Sequence, residues 1–159
     1  MVGKNDPTKE PALVLTRVFD APRDLVFKVW TDPAHLAQWW GPHGFTNPLC
    51  EVDVRPGGAI RIDMRGPDGV VYRMTGVYRE IVEPERLVFV ASALDGNGNP
   101  LFENETTVTF AEQDGKTILT LQARILHATP EAAPHLKGQE MGWTQSLERL
   151  AEYLTKKPL

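Results

Sequence analysis

The residues able to do chemistry are few and fall into no motif. The 159-residue chain holds one cysteine, Cys50, and four histidines, His35, His43, His127 and His135. Gly41-Pro42 interrupts the stretch between His35 and His43, so the two cannot share one helical face. No CxxC, HxxxH or HExxH spacing is present, and the reading is that no metal is held. Cys50 sits in the strand-like LCEVDV and reads as a small core residue, not as a nucleophile with a histidine base. There is no GxSxG, no GxGxxG and no phosphate-cradling loop; Gly57-Gly58 is a turn. The chain therefore names no catalytic group and calls for no cofactor.

What remains is a set of large apolar residues with a few polar ones among them. Trp30, Trp39, Trp40, Phe45, Met64, Tyr72, Met74, Tyr78, Phe89, Trp143 and Leu147 come from three different parts of the chain. Such residues either fill a core or wall a small-molecule pocket, which is usually apolar with a few placed polar groups. A buried phenol at Tyr72 or Tyr78 needs a partner, and a ligand oxygen can serve. Glu103 follows a glycine-rich loop and opens a strand, where it would aim a carboxylate at the mouth of a pocket. Glu140 lies about 60° from Trp143 on a helical wheel, close enough to the apolar side for burial to raise its pKa.

The elements that must position these groups are readable from periodicity. The last thirty residues form a helix capped by Thr129 with Pro130 in its first turn. Leu136, Trp143, Leu147, Leu150 and Leu154 share one stripe with Ala132 and Ala151, while Gln145, Glu148, Arg149 and Glu152 point away. Pro134 marks an offset in the first turns, and Met141, opposite the stripe, marks a pocket rim or a surface for a homodimer. Ahead of this helix the chain is mostly strand. Ala12–Phe19 is the first, followed by two short helices, one opened by Pro22 and one by Asp32-Pro33, the latter ended by Gly41-Pro42. LCEVDV, AIRIDM, VVYRMTGVYREIV, RLVFVASAL, ETTVTFAEQ and KTILTLQARIL then alternate with period two between short turns. Short turns imply antiparallel neighbours, so the architecture is α+β: a curved antiparallel sheet with helices on one face.

Composition narrows the partners. With 42% hydrophobic and 24% charged residues and a net charge of −4, the chain reads as a globular domain without a nucleic-acid groove. No stretch reaches the length of a membrane span or signal peptide, and a single cysteine suits a reducing compartment, so a cytoplasmic location is expected. Residues 1–10 read as a flexible tail and residues 11–157 as one domain.

Four stretches together carry a resemblance: TRVFDAPRDLVFKVWTDPAHLAQWWGP, VDVRPGGAIRIDM, GVYREIVEPERLVF and GWTQSLERLAEYL. Across Leu13 to Leu154 the chain resembles the START/Bet v-like (SRPBCC) superfamily, and within it the family like the C-terminal domain of the heat-shock-protein-90 ATPase activator. That resemblance implies a helix-grip fold, a seven-stranded curved antiparallel sheet around a long C-terminal helix with two short helices after the first strand. It often implies a ligand cavity. The superfamily includes carriers of hydrophobic molecules, cyclases and domains of unknown role. With about ten residues before the first strand, no counterpart of the co-chaperone's separate N-terminal domain is expected.

Three functions follow as expectations. The first is a module binding a hydrophobic small molecule between sheet and helix, with Trp143 and Leu147 on the helical wall. Met64, Tyr72, Met74, Tyr78 and Phe89 would form the sheet wall, the two-helix insert would close one end through Trp30 and Trp40, Phe45 would be a further ligand contact, and Glu103 would stand at the mouth. The second is a cyclase- or hydrolase-type enzyme using Tyr72, Tyr78, Glu103 or Glu140. The third is a chaperone-related or self-associating interaction domain.

Overall fold

The computed structural model describes residues 13–130 and 138–156. In chain order the elements are β1 (Leu13–Phe19), α1 (Arg23–Thr31), α2 (Pro33–Trp39), β2 (Thr46–Val52), β3 (Ala59–Arg65), β4 (Val71–Val82), β5 (Arg86–Leu94), β6 (Pro100–Gln113), β7 (Lys116–Ala128) and α3 (Gln139–Thr155). The strands make one antiparallel sheet in the order β1-β7-β6-β5-β4-β3-β2. After β1 the chain crosses through α1 and α2 to the opposite edge, then meanders back until β7 pairs with β1. The sheet and the grip by the last helix are those of the helix-grip fold.

The local reasons are those of the sequence. Asp32 accepts the amide of Ala34 at 2.9 Å and Pro33 fills the first helical position, so α2 starts without an orphan donor there. Trp39 is fully buried, and its indole N–H donates to the Val29 carbonyl at 3.0 Å, which locks the corner between α1 and α2. In β4, a Cβ at Gly76 would stand 2.4 Å from the Val90 carbonyl oxygen, so only glycine lets β4 and β5 approach here.

The last helix differs from expectation at its start. It opens at Gln139 with Gly138 at its N-cap, and not at Thr129-Pro130. Thr129 sends both its amide and its hydroxyl to the Leu101 carbonyl, at 2.9 and 3.1 Å. Ala132, Pro134, His135 and Leu136 lie outside the described residues. Along the rest of the stripe Leu147, Leu150 and Leu154 are buried as expected, packed toward α2 and β1, and Met141 is 66% exposed. Among the described residues no helix is long and apolar enough to cross a membrane.

Candidate functional site

The face of α3 that points to the sheet changes character along its length. Its C-terminal half presents Leu147, Leu150 and Leu154 to a filled core. Its N-terminal half presents Gln139, Gly142, Trp143 and Ser146, at the i, i+3, i+4, i+7 spacing of one face, to a cavity of about 280 Å³. The sheet wall of that cavity is Met64, Tyr72, Met74, Phe89 and Ala91, continued on β6 by Phe102, Asn104 and Thr106. Trp40, Gly41 and Pro42, in the turn after α2, close one end.

Of the aromatic set, Trp40, Tyr72, Phe89 and Trp143 line this space, as do Met64 and Met74. Trp143 is half-buried, stacked on Trp30 at 6.1 Å and edge-on to Trp40 at 5.3 Å. Phe45 sits outside the lining, against the partly exposed ring of Tyr72 at 5.9 Å. Trp30, Tyr78 and Leu147 belong to the core behind the cavity. The void beside Trp30, Leu36 and Tyr78 is about 10 Å³, no more than one water needs.

Glu103 is placed elsewhere. Phe102, Asn104 and Thr106 face the cavity, and strand alternation turns Glu103 to the other side of the sheet. Its carboxylate accepts the hydroxyl of Ser92, which itself borders the cavity, at 3.2 Å. A glycine-rich loop signals a turn but does not say which face the next residue takes. Glu140 is exposed on α3. Tyr72, Tyr78, Glu103 and Glu140 therefore do not converge on one point.

The histidines are held apart: His35 Nδ1 meets the Tyr153 hydroxyl at 2.6 Å, and His43 Nε2 meets Glu148 Oε1 at 2.8 Å. Among the described residues no group of three or more His, Cys, Asp or Glu could hold a metal ion. Cys50 is half-buried, and burial pushes its thiol from 9.0 up to about 11, so it stays protonated and unreactive at neutral pH. Burial also raises the phenol of Tyr78 above its ordinary 10.0, with the nearby Cys50 charge adding to it. Both groups bind their protons more tightly folded than unfolded, so their contribution to stability is present below the unfolded values and is lost as pH rises. Urea midpoints are expected to hold up to pH 9.0 and to fall as the pH approaches about 11. Cys50→Ala is expected to remove the earlier part of that fall.

Sequence reasoning missed two groups that shape the site. Arg149 lies on the flank of α3 that was read as pointing to solvent, yet its guanidinium reaches the turn at the cavity's end. Nη1 donates to the carbonyls of Trp40, Gly41 and Pro42 at 2.9, 3.0 and 3.1 Å, and Nη2 to that of Gln38 at 3.3 Å. Gln145 and Glu148 reach the same turn through His43, Gln145 accepting its amide at 3.1 Å. Asn104, a polar residue in an apolar-facing register, is the other. It is only 6% exposed, its Nδ2 donates to Gln139 Oε1, and its Oδ1 is buried without a hydrogen-bond partner.

The comparisons agree with this architecture. Residues 20–155 match the family described as Activator of Hsp90 ATPase homolog 1-like protein. The chain belongs to that family. Among solved structures, a protein from Nitrosomonas europaea is 28% identical, covering 91% of this chain and 94% of its own, with a TM-score of 0.76. The AHSA1 protein from Silicibacter pomeroyi is also 28% identical, over 92% of this chain and 99% of its own, with a TM-score of 0.76. A Mycobacterium smegmatis protein is 27% identical over 92% of each chain, with a TM-score of 0.78. Comparison with curated proteins gives no significant match. The Activator of Hsp90 ATPase homolog 1-like match begins just after β1 and runs through α3, so it spans every element that borders the cavity.

Proposed function

We propose that this domain binds a small hydrophobic molecule in the space between β3–β6 and the first half of α3. The observation that supports this reading is the cavity itself. At about 280 Å³ it lies near the lower end of ordinary small-molecule sites, about 300–1,000 Å³. Its walls are mainly indole, phenyl and thioether groups, which gain about 25 cal/mol for each Å² of apolar surface covered.

Gly142 adds to the argument. A glycine inside a helix costs about 1 kcal/mol relative to alanine, and a Cβ there would meet nothing within 4 Å. A stability-driven sequence would place a leucine at this position; glycine keeps the space open. Gly142→Leu is therefore expected to raise stability by up to about 1 kcal/mol through helix propensity while occluding the cavity. Native mass spectrometry of freshly purified protein tests the pair, with a co-purified small molecule expected on the wild type and lost from Gly142→Leu. A wild type that carries nothing and also takes up no naphthalene by calorimetry would end the proposal.

A further inference from the structure

The apolar side chains around the cavity narrow the class of ligand, an inference that rests on the binding role just proposed. Residue types change where the strands leave the core. Toward the core, α2 and the sheet supply branched aliphatic groups, Leu36, Ile60, Ile62 and Leu87. Two residues on from Ile62 stands Met64, and two on from Leu87 stands Phe89, each on the inner face of the same strand and in the cavity wall. Among the described residues no leucine, isoleucine or valine lines the cavity. Five aromatic rings do: Trp40, Tyr72, Phe89, Phe102 and Trp143. Between them lie the thioethers of Met64 and Met74 and small residues such as Ala91, Ala93 and Gly142.

Burial alone does not ask for this choice, since aliphatic and aromatic carbon gain about the same for each Å² covered. What rings add is direction. Each carries a negative face and a positive edge, so it attracts another ring in an offset-stacked or edge-to-face pose beyond the gain from area. The rings here are steeply inclined to one another. Trp40 and Trp143 meet at 83° with centroids 5.3 Å apart, and Trp40 and Phe89 at 54° and 6.4 Å. A flat guest lying parallel to one of the two indoles is close to perpendicular to the other, so both favoured poses are open to it at once. The two methionine sulfurs add a further preference, because a thioether is drawn to an aromatic ring. A saturated ring system of the same skeleton has no quadrupole and gains from burial only.

We infer that the cavity selects planar aromatic molecules over aliphatic ones of the same skeleton, with Trp143 and Phe89 as specificity-determining residues.

Naphthalene and decalin, its fully saturated counterpart, test this on the wild type. Headspace gas chromatography over protein solutions reads the free concentration of both, and so both Kd values. Decalin has the larger apolar surface and would bind more tightly if burial alone decided. Naphthalene is nevertheless expected to bind about tenfold more tightly, which is what one or two ring contacts add beyond area. In Trp143→Leu and in Phe89→Leu the ratio is expected to fall by about threefold or more while decalin still binds. Should one variant fail to fold, the other carries the residue assignment, and the wild-type pair decides the ligand class. Decalin bound as tightly as naphthalene, or more tightly, overturns the aromatic requirement and leaves the binding role standing. A naphthalene preference unchanged in both variants overturns the assignment to these two rings. Absence of binding by either probe overturns the binding role and this inference together.

Discussion

Alanine at Leu150 is expected to cost about 3–5 kcal/mol of stability, while alanine at Trp143, a larger residue on the same helix, is expected to cost only about 1–2 kcal/mol. Leu150 is fully buried, so removing its branched end leaves a hole that the surroundings cannot close. Trp143 is only partly buried and borders a void already present, so its loss mainly forfeits the ring contacts with Trp30 and Trp40 and widens the cavity. Urea denaturation of the two variants measures the order directly. If Trp143→Ala proves as costly as Leu150→Ala, α3 is solidly packed along its whole length and the cavity reading is wrong.

The second large effect belongs to Arg149. Replacement by methionine keeps the apolar stem but leaves four carbonyls without their cationic donor, and is expected to cost about 1.5–3 kcal/mol, the range for hydrogen bonds to a charged group. Desolvation already lowers the Arg149 pKa from its ordinary value, so the carbonyls are what make its burial tolerable. Lysine is not expected to restore the loss, because one ammonium cannot reproduce the planar fork that spans Gln38 to Pro42. Since Trp40, Gly41 and Pro42 wall the cavity, naphthalene affinity is expected to fall with stability. Arg149→Met within about 0.5 kcal/mol of the wild type, the usual span for a surface substitution, would show that the turn holds itself and that Asn47, which also donates to Trp40 and Ala37, suffices.

The fold was readable because its signals are local and repeat. Period-two strands between short turns, Asp32-Pro33 at a helix start and one leucine stripe leave little choice of architecture. The wall of the cavity was readable in part for the same reason: Met64, Tyr72, Met74 and Phe89 sit on sheet positions that alternation predicts. Three things were not readable. Periodicity reports which side of a helix is apolar, yet not whether the facing space is full, so Leu147 and Trp143 looked equivalent. Glu103 follows a loop whose geometry decides its face, and one residue of phase reverses the answer. Arg149 looked solvated on a wheel because the wheel cannot show a turn, distant in sequence, brought under the end of a long flexible side chain.

The halves of α3 should also differ in how often they open. Beyond Ser146 every inward residue is fastened into the core, so its amides should exchange with solvent deuterium only when the whole molecule unfolds. From Gly142 to Gln145, the first amides bonded within the helix, few apolar contacts hold the helix down, and those amides should exchange through a smaller, local opening. A ligand that fills the cavity and binds neither the locally opened nor the unfolded form would slow both sets, which makes the helix a reporter of occupancy that needs no knowledge of the ligand's identity.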